Sequence, residues 1–331
     1  MIYAGTGSGM SHRNVLVLSG GLSPERDVSL RSGRRVADAL RSARPEWEIL
    51  EADVDASLLP RLREHRPDCV VPLLHGAAGE DGALRDLLET LDIDFVGSEA
   101  AACRLAFDKP VASSLVSGTG VAVPEFVVLP QSTFRELGAP MVMEAVAERI
   151  GFPLVVKPTR GGSALGVSIV HKSQDLPPAM VSAFAYGDTA MIQRFVAGTE
   201  VAVSVIDTVD PDSDADGAFH GPQVLPAVEI EPEGEMYDYH ARYTAGTTAF
   251  YCPARLDADV TAAVSEAAKT VHAALGLTDL SRTDLIVDGD GTVWFLEVNV
   301  APGMTETSLM PQAIAAAGRS VGEVLAAMVE D

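Results

Sequence analysis

The stretch NVLVLSGGLSPERDVSLRSGRRVADALR (14–41) passes from an unbroken apolar run, through a glycine pair, into a charged segment with periodic apolar residues. NVLVLSG (14–20) predicts a buried strand, because four apolar residues in a row end at glycines. VSLRSGRRVADALR (28–41) spaces its apolar residues as a helix does. WEILEAD (47–53) and CVVPLLHG (69–76) predict further strands, and GALRDLLETL (82–91) another helix. Such alternation predicts an α/β class with a mostly parallel sheet and right-handed crossovers. Ligands of these sheets gather beyond the carboxyl ends of the strands, so the loops at 20–27 and 75–81 stand at a candidate site.

A chain of 331 residues exceeds what one hydrophobic core usually serves, which predicts two or three domains. At 47% apolar and 21% charged it has a globular composition. No apolar run approaches the ~18 residues of a membrane span. The opening MIYAGTGSGMSHR (1–13) lacks the apolar stretch of a secretory signal; it reads as a flexible leader, with Met10 an alternative start and the cytoplasm the expected location. Twenty-four Lys and Arg against 47 Asp and Glu give a net −23, which repels nucleic acid and anionic membranes. An anionic substrate would then need local cations or a metal. Cys69, Cys103 and Cys252 are odd in number and lack CxxC spacing, so they predict buried, inert thiols.

After residue 108 the pattern changes. Residues 109–195 hold helices, then PLVVKP (153–158), a glycine-rich loop and the strand GVSIVH (166–171). From 196 to 207 and from 224 to 230 the alternation is antiparallel in style, and DTVDPDSDADGAFHGP (207–222) between them reads as a surface insertion without chemistry. TDLIV, a DGDG turn and TVWFLEVN predict a hairpin from Asp284 to Asn299.

Three clusters carry chemistry. In KPTRGGSALGVS (157–168) a lysine ends an apolar strand before a loop whose backbone amides can approach phosphate oxygens, with Lys157 as a point charge. An ordinary hairpin with glycine turns is the bland alternative. In SRTDLIVDGDGTVWFLEVNVAPGM (281–304), Asp284 lies on one strand and Glu297 and Asn299 on its partner, the last two on one side by the two-residue period. Two carboxylates and an amide oxygen suit Mg²⁺ (or Mn²⁺) beside nucleotide phosphates, whereas a solvated hairpin would not interrupt a buried strand with FLEVN. In GGLSPERDVSL (20–30), Glu25 either takes a substrate ammonium or caps a helix.

In this order these motifs resemble the D-alanine–D-alanine ligases of the ATP-grasp superfamily, over about 15–316. The marks are SGGLSPERDVSLRSG, HGAAGEDGALRDLLE with FVGS, AFDK (106–109), KPTRGGSALGVS, MYDYHARY with YCPA, and RTD…LEVNVAPGMTETSLMP. The resemblance implies an ATP-grasp fold, α/β with an α+β C-terminal half, in three units: an N-terminal parallel-sheet substrate domain (10–108), a central grasp subdomain (109–195) and a C-terminal one with a mobile loop and the metal site (196–331). It implies ligation of two D-alanines through an acyl phosphate, for peptidoglycan precursors, with ATP and D-amino acids as small-molecule partners, no nucleic acid or membrane, and a homodimer left open. Lys109, Lys157, Gly162 and Ser163 would hold the ATP phosphates, Gln193 and Phe195 the adenine, and Glu200 the ribose. Arg282 and the amide of Gly303 would stabilise the tetrahedral oxyanion, and Glu25, with His75 nearby, would take the first ammonium. Ser308 and Leu309 match ligands of the second carboxylate. Ser163, Tyr243 and Glu25 would pin the loop over the closed site. The family's Lys–Tyr pair is Arg242–Tyr243 here, which keeps the charge in a planar fork, and its second loop serine is Ala164. These departures keep a specialised amino-acid ligase with other partners as the alternative. His65, His171 and His272 read as surface or satisfied core histidines, and Trp294 as packing.

Overall fold

The computed structural model describes residues 12–207, 221–234, 236–237 and 246–331. Three sheets organise it. The first is parallel, with β1 (Asn14–Ser19) between β2 (Glu48–Asp53) and β3 (Cys69–Pro72). Alternate residues of β1 feed opposite cores, as the two-residue period requires. Val15 and Val17 meet Val36 and Leu40 of α1 (Arg26–Ala43), while Leu16 and Leu18 meet Leu58 and Leu62 of α2 (Leu58–Glu64). A four-residue helix α3 (Ala77–Glu80) replaces the loop expected after β3. It is followed by α4 (Ala83–Thr90), α5 (Ala100–Phe107) and α6 (Lys109–Ser117).

The second sheet is antiparallel, in the order β4 (Phe126–Pro130), β7 (Thr189–Arg194), β5 (Leu154–Pro158), β6 (Ser168–Val170). One face takes Val146 and Ile150 of α8 (Ala139–Ile150) and Met180 and Ala183 of α9 (Leu176–Phe184), against Leu154, Val156 and Ile192; α7 (Gln131–Leu137) follows β4. Val155, Lys157 and Gln193 consequently face the other way, into a cleft.

The third sheet runs β11 (Thr248–Tyr251), β10 (Val228–Pro232), β8 (Thr199–Asp207), β12 (Leu280–Val287), β13 (Val293–Asn299), with β9 (Pro222–Val224) also on β8. Val264, Ala268 and Val271 of α10 (Ala258–Ala274) cover Val201, Val203 and Leu285. The opposite face presents Glu200, Asp284 and Ile286 to the same cleft. The chain ends in α11 (Leu309–Ala316) and α12 (Val321–Glu330), the latter packed on α1.

Several expected bounds move. The first helix starts at Arg26, β3 stops at Pro72, the strand expected over 166–171 is Ser168–Val170, and the segment at 224–230 belongs to β9 and β10. Cys69 and Cys103 are buried, with thiols pushed up to about 12 and about 11 by burial, but Cys252 is only half-buried. His272 is the expected satisfied core histidine, with Nδ1 2.8 Å from Ser281 Oγ and Nε2 3.2 Å from Asp207 Oδ2. Trp294 packs half-buried and also donates to Asp288 at 2.7 Å. Most of the 207–222 insertion lies outside the described residues.

Candidate active site

The β12–β13 ladder pairs Arg282 with Asn299 and Asp284 with Glu297, then slips so that Leu285 faces Phe295. Leu296 is the extra residue. Strict alternation from Phe295, which is in the core, would send Glu297 into the core as well. The bulge turns Leu296 and Glu297 to the cleft together, and Asn299 follows two residues on. A single-residue irregularity therefore aims the acid.

Arg282 and Asp284 share a face of β12 and form a buried two-pronged pair, Nε–Oδ1 2.7 Å and Nη2–Oδ2 2.9 Å. Burial opposes the guanidinium charge, but Asp284 more than offsets it and raises the pKa. From the start of α6, Lys109 Nζ lies 3.1 Å from Glu297 Oε2 and donates to the Gly161 carbonyl at 2.6 Å. Asn299 Oδ1 accepts from the Ala301 amide at 2.7 Å. Asp284, Glu297 and Asn299 thus come together on one side of the hairpin. Their donors are two carboxylates and an amide oxygen, hard ligands that fit a divalent ion such as Mg²⁺. Among the described residues no group of three or more His, Cys, Asp or Glu has that capacity, so the trio depends on its asparagine.

Lys157 ends β5 with its ammonium buried, which pushes its pKa down to about 8; Glu297 opposes that shift and Lys109 adds to it. The loop beyond it bends through positive φ at Gly161, Ser163, Ala164 and Gly166. Ser163 and Ala164 are consecutive non-glycine residues in the left-handed region, a conformation that costs about 1–2 kcal/mol per residue. Ser163 Oγ donates to Glu25 Oε1, 138 residues away. Glu25 occupies the N-cap of α1 but makes no side-chain cap, which decides against the capping reading. Lys109, Gly161, Gly162 and Glu297 line two adjoining clefts.

The larger cleft, between the two antiparallel sheets, also holds Lys157, Gln193, Phe195 and Glu200. Gln193 is buried, and its Nε2 is directed at the Pro124 carbonyl, 3.5 Å away. The smaller holds Glu25, His75, Ser163, Arg282, Asn299 and Gly303, with Ser308 and Leu309. Gly303 faces the Ser308 hydroxyl so closely that an added Cβ would lie 2.8 Å from it. Ser308 opens α11 without capping it; its Oγ instead accepts from the Thr305 amide at 3.0 Å. Arg242 and Tyr243 lie outside the described residues.

Tyr237 and Glu80 are among the wall residues that carried no individual expectation. Tyr237 is buried and lines both clefts. Glu80 in α3 is buried, and burial with the nearby charge of Glu25 pushes its carboxyl up to about 7. The signal for Glu80 was its place in HGAAGED, at the carboxyl end of a parallel strand.

A family model described as "D-ala D-ala ligase C-terminus" matches residues 115–330. The chain is 40% identical over 308 residues to a D-alanine–D-alanine ligase of Anaeromyxobacter sp. (strain K), covering 93% of each chain. It is 36% identical over 314 residues to the one from Pelotomaculum thermopropionicum, covering 95% of each. Among solved structures, D-alanine–D-alanine ligase from Bacillus anthracis superposes with a TM-score of 0.80 at 28% identity, over 96% of both chains. The same enzyme complexed with ATP gives 0.78 at 26%, again over 96% of both. VanG D-Ala:D-Ser ligase from Enterococcus faecalis gives 0.80 at 27%, over 97% of this chain and 99% of that one.

Proposed function

This chain belongs to the D-alanine–D-alanine ligase family, and on that premise we propose how its two clefts share the joining of two D-alanines with ATP. The larger cleft holds the nucleotide. Lys109, Lys157 and the loop amides at Gly162 and Ser163 take the phosphates, Arg242 adds a further cation, Gln193 and Phe195 take the adenine and Glu200 the ribose. Asp284, Glu297 and Asn299 would hold a divalent cation, which supplies charge neutralisation at the phosphates when bound.

The smaller cleft holds both amino acids. Glu25, beside His75, takes the first ammonium, while Ser308 and Leu309 take the second carboxylate. A carboxylate oxygen of the first D-alanine bonds to the γ-phosphorus as the bond to ADP breaks. The amine of the second, once deprotonated, attacks the carbonyl carbon of the acyl phosphate, and the tetrahedral adduct expels phosphate. Arg282 and the Gly303 amide face the developing oxyanion, a role worth about 3–4 kcal/mol per donor in other enzymes. The Arg282–Asp284 fork holds that guanidinium in one orientation. The Ser163–Glu25 hydrogen bond supports a role in pinning the loop and excluding water from the acyl phosphate, a role Tyr243 would share.

The observation that carries this reading is the shared wall: Lys109, Gly161, Gly162 and Glu297 belong to both clefts, so the end of a bound triphosphate meets the amino-acid side there. The three sheets, drawn from 14–72, 126–194 and 199–299, support the division into units at 10–108, 109–195 and 196–331. The ATP requirement supports a cytoplasmic location, and no helix among the described residues is long and apolar enough to cross a membrane. The product serves peptidoglycan precursor synthesis. The net −23 argues against nucleic acid as a partner, and a homodimer stays a proposal.

Likeness to a D-Ala:D-Ser ligase matches likeness to a D-Ala–D-Ala ligase at a TM-score of 0.80, so the fold does not choose the second amino acid. A panel of D- and L-amino acids, read by phosphate release and product mass, tests the choice. D-alanine alone is expected to give D-alanyl-D-alanine. Absence of turnover with it would transfer the reading to a ligase of specialised metabolism.

A further inference from the structure

The floor of the smaller cleft is built from acceptors. Glu25 reaches it from the start of α1, and Glu80 from α3 with Oε1 accepting the Gly76 amide at 2.8 Å. His75 lies between β3 and α3, 5% exposed, with Nδ1 3.1 Å from the Ala301 carbonyl. A carbonyl oxygen only accepts, so Nδ1 carries the proton. Burial holds the ring below its ordinary pKa and therefore neutral, against the pull of Glu25. Nε2 is then a bare lone pair, and it is buried with no hydrogen-bond partner among the described residues.

Nearby cations are committed elsewhere. Lys109 is on Glu297 and the Gly161 carbonyl, Arg282 is on Asp284, and Arg31 at the rim reaches Glu306 at 3.3 Å. Two carboxylates and a lone pair on one cleft wall, with His75 and Glu80 buried and Glu25 half-buried, call for a compact cation with several N–H bonds.

We infer that Glu80 is a second carboxylate for the ammonium of the first amino acid, completing with Glu25 and His75 Nε2 three acceptors for its three N–H bonds. This rests on the amino-acid assignment of the smaller cleft. Burial and the charges of Glu25 and Glu297 disfavour an ionised Glu80, the Gly76 amide and Lys109 favour it, and an arriving ammonium supplies further counter-charge. Glu80 is thus a specificity residue for acids that carry a free α-amine.

The test is the steady-state kinetics of Glu80→Gln, which keeps the volume and an acceptor for the Gly76 amide, beside Glu80→Asp. Dipeptide synthesis by the wild-type chain is measured first; its absence would fault the function, not Glu80. With it established, Glu80→Gln is expected to raise the first-site KM for D-alanine about ten- to a hundredfold, the range for one charged hydrogen bond. The second-site KM and the KM for ATP should hold, and Glu80→Asp should recover part of the loss. An unchanged first-site KM, or all three KM values rising together, would overturn the assignment. A readout free of folding effects is the wild-type pH profile. Ammonium binding must ionise Glu80, so the first-site KM should climb as pH falls below about 7. A first-site KM that is flat from pH 8 to about 6 would overturn it equally.

Discussion

If the larger cleft takes the nucleotide as proposed, Lys157 would tie that cleft to pH through one buried side chain. Its ammonium sits at the end of β5, where burial brings its pKa to about 8. A bound triphosphate favours the charged form and raises that pKa. Above about pH 8, binding therefore requires a proton to be taken up, and affinity falls as pH rises, at most tenfold per unit. Below that pH the lysine is already charged and the dependence vanishes. Lys157→Arg keeps its charge throughout, so its ATP affinity should be flat from pH 7 to 9.5, though weaker at pH 7 because a planar fork replaces a point charge. Titration calorimetry with ATP across this range checks both curves. An alkaline loss of equal slope in the variant would remove Lys157 as its source.

At the scale of elements, the last helix depends on the first. Gly322 of α12 lies against the Ala39 carbonyl of α1, so closely that a methyl group there would run into backbone. Gly322→Ala adds helix propensity worth up to about 1 kcal/mol, but the carbonyl cannot swing aside, and overpacking costs about 1–3 kcal/mol. Net destabilisation is expected, seen as a lower urea midpoint at unchanged slope; a raised midpoint would mean the helices separate freely. Such contacts are invisible in sequence, where Gly322 is one glycine among 29. What could be read were elements with strong local signals: β1 and β5 as apolar runs ended by glycine or proline, and the β12–β13 pair through its DGDG turn. FVVLP (126–130) and TAMIQR (189–194) gave weaker ones, since β4 is half-exposed and β7 ends in glutamine and arginine. Their pairing is a long-range fact. The site was legible as an order of motifs, yet the bulge that aims Glu297 and the burial of Glu80 come from tertiary packing. In sequence, Glu80 is one acid in a loop placed at the candidate site, and only the fold shows it buried.

Across the whole molecule, the clefts cooperate only if the sheets that wall them stay in register. Ser163 belongs to the loop of the central sheet and Glu25 to the parallel one, and the hydrogen bond between them closes the junction where an acyl phosphate would form. Lys109 holds the same loop by the Gly161 carbonyl. The left-handed backbone at Ser163 and Ala164 persists because these contacts outweigh its cost. Loss of the serine hydroxyl should let water reach the activated carboxyl, so that ADP forms without dipeptide. Ser163→Ala removes the hydroxyl and keeps the backbone penalty, whereas Ser163→Gly removes both. If the hydroxyl link does the coupling, both variants should release more ADP per dipeptide than wild type, while ATP binding stays close to it. If the strained backbone does it, only Ser163→Gly should uncouple. Measuring ADP and dipeptide in the same reactions separates the two, and a wild-type ratio in Ser163→Ala would place the coupling outside this bond.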